Sequence, residues 1–175
     1  MSSLLSVKGL TLRRGDGSGS AIINDLSLDV KEGEVIVVRG ASGSGKTTLL
    51  KCIPSYRTRV QYVPQRPSLL PGTPLELVSL LQSFSARRST SKGTLEDAMR
   101  IAGDWGVEKT LWMRPWATLS GGEGQRVALA IALAAGGAEV LLLDEPTSAL
   151  DEPTTIKVEK TLLAMLRVSL SSQRS

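Results

Sequence analysis

Residues 40–48 of this 175-residue chain read Gly-Ala-Ser-Gly-Ser-Gly-Lys-Thr-Thr, a spacing of glycines, lysine and hydroxyls that suits a polyphosphate. Gly40, Gly45, Lys46 and Thr47 stand at the fixed positions of Gly-x-x-x-x-Gly-Lys-Ser/Thr. Glycines there let the backbone bend around an anion without Cβ clashes. The amides of Ser42, Gly43, Ser44, Gly45 and Lys46 then point at a β-phosphate, helped by roughly half a positive charge at the start of the following helix. Lys46 would reach the β- and γ-phosphates of a nucleoside triphosphate, Thr47 would ligate Mg²⁺, and Thr48 would adjoin the bound nucleotide. The bland reading is a glycine-rich turn that binds nothing. Context argues against it. Val35, Ile36, Val37 and Val38 predict a short buried strand before the loop, and Thr47 to Ile53 predict a helix after it.

Two carboxylates and a second helix start supply further chemistry. Val140 to Leu143 is another continuous apolar run, as expected of a parallel strand covered on both faces, and it ends in Asp144 and Glu145. Ligands of such sheets gather at the carboxyl ends of the strands. There Asp144 would hold Mg²⁺ through water, and Glu145 would polarise an attacking water. An acidic pair after a strand also serves as a helix cap or a turn, and Pro146, Thr147 and Ser148 are turn-like. A phosphate loop upstream favours the catalytic reading. Ser120-x-x-Glu123 is a capping box, so a helix opens there. Ser120 and the amides of Gly121 and Gly122 form a second anion-binding helix end. A capping box alone marks ordinary helix initiation, and its place in the series of motifs gives it a function. The helix continues as Val127 to Leu133, apolar nearly all round and hence buried. That run is short of the ~20 apolar residues that span a bilayer.

Taken in order, Leu119 to Arg126, Val140 to Pro146 and Ser148 to Asp151 resemble the signature loop, Walker B strand and D-loop of ATP-binding cassette (ABC) ATPases. The resemblance spans nearly the whole chain. Leu119 to Asp151 looks most like the soluble ATPase subunits that pair with separate membrane subunits in bacterial metal-export and plant aluminium-tolerance systems. The resemblance implies that Gln65, within Gln61 to Pro67, is the Q-loop glutamine, whose amide would touch Mg²⁺ or the lytic water. It places Asp151 at the nucleotide site as the D-loop acid. It implies a homodimer or paired cassette arranged head to tail, each ATP lying between Lys46 of one copy and Ser120 of the other. It further implies a transmembrane permease subunit as partner and a peripheral position on the cytosolic face of a membrane. A nucleotide-binding module that does not turn over is the alternative from another class. A soluble ABC protein of translation or DNA repair is a third, but tandem cassettes and long coiled-coil arms are missing from the sequence.

These residues need elements to position them. Leu5, Val7, Leu10 and Leu12, then Leu26, Leu28 and Val30, alternate as antiparallel strands do. Gly15 to Ser20 is a flexible turn between them, and Lys31 to Glu34 is the next turn. Thr73-Pro74-Leu75-Glu76 reads as a helix start, with a helix to about Ser85. Residues 86–93 read as a polar loop, and Thr94 caps a further helix through Ile101. A helix after Pro153 runs through Ile156, Leu162, Leu163 and Leu166 and gives way to the serine-rich stretch from Ser169. The expected fold class is α/β: a P-loop NTPase with a mostly parallel sheet flanked by helices, an N-terminal antiparallel β part and an inserted helical subdomain. Residues 1–175 form one nucleotide-binding domain. Its parts are the N-terminal β part with phosphate loop and Q-loop (1–69), the helical subdomain (70–118), and the signature, Walker B and D-loop (119–175).

Composition is consistent with that. Hydrophobic residues at 41% and charged residues at 22% fit a folded globular chain rather than a disordered one. Three tryptophans, two tyrosines and one phenylalanine are few, so aliphatic packing is expected to carry the core. The net charge of +4 is modest, and Arg13-Arg14 and Arg87-Arg88 read as solvated clusters. Nothing interleaves basic and aromatic residues as a nucleic-acid surface does. The single cysteine, Cys52, excludes an internal disulfide, and the absence of histidine leaves no Cys/His cluster for structural zinc. Residues 1–7 lack the charged and apolar regions of a signal peptide.

The chain also departs from the ABC pattern. It contains no histidine, whereas the family carries a switch histidine one strand beyond the helix that follows the D-loop. Only about twenty residues separate Lys46 from Gln65, where the family usually has a β-hairpin segment, and Pro54-Ser55-Tyr56-Arg57 reads as an abrupt join. The aromatic that stacks on adenine is replaced by Leu12, Arg13 or Arg14, of which an arginine can stack on a base. Glu123 stands where glutamine is commonest and Ile131 where arginine is frequent. These departures lead us to expect a truncated or internally deleted copy, with slow turnover and a marginal fold.

Overall fold

The computed structural model describes residues 3–15, 19–53, 60–65, 71–83, 94–136 and 138–172, with side chains as far as Met165. Strands β1 (Ser3–Arg13) and β2 (Ala21–Lys31) pair antiparallel, with Leu5 opposite Val30, Val7 opposite Leu28 and Leu10 opposite Leu26. The alternation read from the sequence is therefore a hairpin. Leu5, Val7, Leu10, Ile23, Leu26 and Val30 turn into a small core, while the polar residues between them face out. The predicted turn follows: the Glu34 amide donates to the Lys31 carbonyl at 3.2 Å, and Gly33 takes the positive φ of 72°. Asp16 to Ser18, Pro54 to Arg57, Arg66, Pro67 and residues 84–93 lie outside the described residues, as do the turn tip, the join and the Arg87-Arg88 cluster expected there.

The buried strand expected at Val35 to Val38 is not formed. These residues have no ladder partner, and they are 56%, 38%, 67% and 40% exposed, respectively. The physical reason is that strand propensity reflects fit to a neighbour, not a backbone preference. The parallel sheet among the described residues holds two strands, β3 (Val60–Val63) and β4 (Val140–Leu143), in register from Val60 opposite Val140 to Val63 opposite Leu143. Val35 to Val38 add to neither edge.

Helix α1 (Lys46–Cys52) follows the phosphate loop, and Leu49 with the adjoining Ile53 is buried in one cluster with Leu5, Val140 and Leu142. The opposite side of β3 and β4 meets a larger helical core built by α2 (Pro74–Ser83), α3 (Leu95–Asp104), α4 (Gly121–Ala134) and α5 (Glu152–Ser172). Coverage of β4 is thus less complete than its apolar run suggests, since Leu141 stays 37% exposed. Three capping boxes start the helices where the sequence places them. Thr73 exchanges bonds with Glu76, Thr94 with Asp97 and Ser120 with Glu123. Each cap replaces lost backbone partners at a helix start and contributes about 1 kcal/mol.

Two expectations are corrected here. The core is not purely aliphatic. Trp105, Trp112 and Trp116 are 2%, 2% and 5% exposed and sit together in the helical core, where each ring can bury about 150–250 Å². The Trp105 indole also donates to Thr161 Oγ1 at 3.1 Å, which fastens α5 to α3. And α5 runs to Ser172, through the serine stretch placed outside it. Serine is a middling helix residue, and residues 169–172 contain neither glycine nor proline to stop the helix. Ile131, at the position where the ABC pattern often has arginine, is 5% exposed inside this core, so an apolar side chain suits it.

Candidate functional site

The phosphate loop is built on β2. Gly43 and Gly45 adopt φ of 80° and 94°, which only glycine takes without strain. A Cβ on Gly45 would lie 2.6 Å from Ile22 Cγ2, and one on Gly40 would lie 2.6 Å from Ser44 Oγ, so neighbouring side chains fill the space that a Cβ would take. The Ser44 amide donates to Ala41 O at 3.2 Å and closes the loop. The first turn of α1 has no side-chain cap and no acidic residue, which leaves its amides for an anion. Lys46 folds back over the loop: its Nζ donates to Gly40 O at 2.8 Å and Ala41 O at 2.9 Å. Ser42, Gly43, Ser44 and Thr47 are exposed, and Thr48 is half-buried.

At the carboxyl ends of β3 and β4, the loops that follow the two strands converge with Tyr62 of β3 and Gln125 of α4. Asp144 is 4% exposed, its amide extends the ladder to Val63 O at 3.0 Å, and its Oδ2 accepts from the Tyr62 hydroxyl at 3.0 Å. Desolvation, then the bond to Asp144 and its negative charge, push the Tyr62 phenol up to about 12. Tyr62 therefore remains a donor throughout the working pH range. Glu145 is exposed and has a φ of 45°, a left-handed conformation that costs a non-glycine residue about 1–3 kcal/mol. Its carbonyl is held by Ser148 N at 3.2 Å, Ser148 Oγ at 3.1 Å and Gln125 Nε2 at 2.9 Å. Its carboxylate accepts from Gln65 Nε2 at 2.7 Å, and that amide also reaches Ser148 Oγ at 3.3 Å.

The structure thus brings together Gln65, Asp144 and Glu145 in one cluster. It differs from the expectation in one respect: the Gln65 amide rests on Glu145 itself. The signature residues adjoin the cluster through the D-loop. A Cβ on Gly122 would sit 3.0 Å from Ala149 O, so glycine there permits close approach of the two backbones, while Gly121 faces open space. Ser120 Oγ accepts from the Glu123 amide at 3.3 Å as the helix cap, and the Ser120 amide donates back to Glu123 Oε2 at 2.8 Å; this backbone bond first, then the Ser120 hydroxyl, holds the Glu123 carboxyl below its ordinary value. Asp151 is exposed at the head of α5, its carbonyl accepting from Thr155 N at 2.9 Å. Arg13, a candidate to stack on a base, donates instead to Gly19 O of its own hairpin at 3.2 Å.

Sequence reasoning missed Tyr62, Gln125 and Ser148. Gln125 had a legible signal: it is one helical repeat from Leu129 and two from Leu133, all three buried, so it is a polar residue on the core face of α4. Tyr62 carries none, because its partner lies across the fold, and for Ser148 the local bond to Glu145 O reads as an ordinary turn while its contact with Gln65 lies across the fold.

Asp144 fits a hydrated divalent cation. Its charge is buried, and a phenol, a neutral donor, leaves that charge to be balanced. Among the described residues no three His, Cys, Asp or Glu side chains form a metal cage. A cation there would be held by Asp144 and by a hydroxyl such as Thr47, with phosphate and water completing its ligands.

A family model described as ABC transporter matches residues 23–56 and 53–148. The two segments overlap at residues 53–56, beside the abrupt join read at Pro54-Ser55-Tyr56-Arg57. The chain is 33% identical over 184 aligned residues to Protein STAR1 of Oryza sativa subsp. japonica, covering 92% of this chain and 51% of the rice protein. An alignment longer than 175 residues must open gaps in this chain. It is 36% identical over 162 residues to the aliphatic sulfonates import ATP-binding protein SsuB 1 of Pseudomonas fluorescens, covering 86% and 59% of the two chains. The chain therefore spans about half to three-fifths of these curated relatives. Among solved structures it is similar to the dimeric post-hydrolysis ATP-binding cassette MJ0796 bound to ADP and Pi, with a TM-score of 0.73, 26% identity, and coverage of 90% and 80%. A putative metal-chelate type ABC transporter in an inward-facing conformation gives a TM-score of 0.69 at 27% identity, covering 95% of this chain and 70% of that one. The α/β cassette fold is common to all of these. Among the described residues no helix is long and apolar enough to cross a membrane.

Proposed function

We propose that this chain, which belongs to the ABC transporter family, is an ATP-binding subunit that hydrolyses ATP and drives a membrane permease. The observation that carries this reading is the contact of Gln65 with the Glu145 carboxylate at 2.7 Å, beside the buried Asp144 and at the mouth of a parallel strand pair. A structural acidic pair would not require a strained Glu145 backbone over-determined by three hydrogen bonds.

In this reading Lys46 exchanges Gly40 O and Ala41 O for the β- and γ-phosphate oxygens of ATP. The amides of Ser42 to Lys46 wrap the β-phosphate. Mg²⁺, bound with the nucleotide near Asp144 and Thr47, supplies charge neutralisation at the phosphate oxygens. Glu145 orients the attacking water as an acceptor, and Gln65 fixes which carboxylate oxygen faces it. Phosphoryl transfer asks mainly for such positioning and neutralisation. Two copies meet head to tail, Ser120, Gly121 and Gly122 of one closing over the nucleotide on the other, with Asp151 at the joint. Residues 1–175 act as one cassette, peripheral on the cytosolic face of a membrane, with a transmembrane permease subunit as its partner. The names of the relatives, an import ATP-binding protein and a dimeric cassette, support a second cassette and a role in transport.

Calorimetry tests the premise. Mg²⁺-ATP affinity is measured for the chain and for Lys46→Ala. Losing a charged donor to phosphate should cost roughly 1.5–3 kcal/mol. Equal affinities would refute ATP binding through this loop.

A further inference from the structure

Gln125 lies five residues into the helix that Ser120 caps, 3% exposed, and has no part in the chemistry described so far. A primary amide so deeply buried requires partners, and this one has three. Its Nε2 donates to Glu145 O at 2.9 Å and to Gln65 O at 3.2 Å, and its Oε1 accepts from Ala149 N at 3.2 Å. Besides the backbone bonds from Asp144 N to Val63 O and from Ser148 N to Glu145 O and the Tyr62–Asp144 bond, the side chains that join the strand ends to the D-loop are the exposed Gln65 and Ser148, which water can replace. Gln125 is the buried member of the set, shielded from that competition. It holds both residues on either side of the 2.7 Å contact by their backbones, and holds Glu145 in its left-handed conformation.

We infer that Gln125 is a positioning residue: its amide locks the Gln65, Glu145 and Ala149 backbones into one unit fixed to α4, so that the Glu145 carboxylate meets the attacking water in a single orientation. The inference rests on the ATPase reading above and deepens it. It also gives that reading a mechanical consequence. Ser120 and Gln125 are about 7 Å apart along one rigid helix, at 1.5 Å per residue. A displacement of the signature end by nucleotide on the partner copy therefore reaches the Glu145 backbone through Gln125, without crossing a loop.

The clamp is read first on the unaltered protein, by amide hydrogen exchange. Ala149 is exposed, so its amide should exchange rapidly unless Gln125 holds it. Protection of Ala149 comparable to that of the α4 amides is expected, and free exchange overturns the proposal whatever the turnover. The second arm compares Gln125→Leu, similar in volume but without an amide, with the parent. Turnover should fall about ten- to a hundredfold, as misplacement of a reacting group does, with Mg²⁺-ATP affinity within about twofold. In a Glu145→Gln background the same change should leave residual turnover unaltered, because Gln125 acts through that carboxylate. Additive losses, or affinity falling in step with turnover, overturn the assignment. Gln125→Glu, which keeps the acceptor for Ala149 but sets a carboxylate against two carbonyls, serves should Gln125→Leu not fold; it should lose turnover to a similar extent. Absence of turnover in a parent that binds ATP would sink the ATPase reading and the catalytic half of this proposal together, and Ala149 protection would then stand for the clamp alone.

Discussion

Gly43 and Gly45 share one backbone conformation but not one environment, which permits the strain and the packing of the phosphate loop to be separated by substitution. At Gly43, φ is +80° and nothing lies within 4 Å of an added Cβ. Gly43→Ala should therefore express only the left-handed penalty of an L-residue, about 1–2 kcal/mol. At Gly45, φ is +94° and the added Cβ would meet Ile22 Cγ2 at 2.6 Å, closer than two carbons can stand. Gly45→Ala carries the same penalty plus overpacking against β2, typically 1–3 kcal/mol. The expected order is a loss of about 1–2 kcal/mol for Gly43→Ala and about 2–5 for Gly45→Ala. For a chain of this size each kcal/mol lowers Tm by roughly 2–4 °C. Trimming the partner supplies the control. In Ile22→Ala the offending methyl is gone, so adding Gly45→Ala should cost no more than Gly43→Ala does. The assay is urea unfolding of the four variants and the parent, read by tryptophan fluorescence. Equal losses for the two glycine variants, or a Gly45→Ala loss unchanged by Ile22→Ala, would refute the contact between the phosphate loop and β2.

Other outcomes follow from the same geometry. Glu145→Gln should retain ATP affinity, lose turnover and accumulate an ATP-dependent dimer, whereas Ser120→Arg should weaken that dimer and leave ATP binding by the monomer intact; no dimer by light scattering in either the parent or Glu145→Gln would defeat the head-to-tail arrangement. The acid limb of stability should reflect two caps. Backbone bonds from Thr94 and Ser120, with the hydroxyl bonds next, hold the Asp97 and Glu123 carboxyls below their ordinary values. Depressed folded values mean stability that is present above the ordinary carboxylate range and lost as pH falls through the folded ones, below about pH 4. Asp97→Asn and Glu123→Gln, which remove the titrating carboxyls, should flatten that decline in a Tm-against-pH series, and a series that keeps its slope would contradict the assignment.

What was legible in the sequence was what is settled within a few residues. Thr73 and Glu76, Thr94 and Asp97, and Ser120 and Glu123 satisfy one another across three positions, so each helix start is written where it occurs. The phosphate loop is likewise closed by neighbours, from Gly40 to Lys46. Tertiary partners were not legible. Val35 to Val38 have the composition of a buried strand, but a strand needs a ladder, and neither β3 nor β4 offers them one. The count of six aromatics is a fact of composition, and it says nothing of three tryptophans gathered in one core.

Gln65 shows both sides of this divide and what it means for the site. Its residue type and its neighbours gave its candidacy, but not its partner, because Glu145 lies eighty positions away and is brought near by the parallel pairing of β3 with β4. That pairing sets the two strand ends level, Val63 opposite Leu143, so the residues that follow must emerge side by side. A register slip of one residue would reverse the faces of Asp144 and Tyr62 and separate a bond of 3.0 Å. The chemistry of the site is therefore inseparable from the register of two four-residue strands, and the register is held where their side chains are buried, at Val63 on one core and at Val140 and Leu142 on the other. Gln125 adds a lock at the strand ends that does not depend on the ladder, so the Gln65–Glu145 contact is secured from two directions, by the sheet beneath it and by α4 beside it.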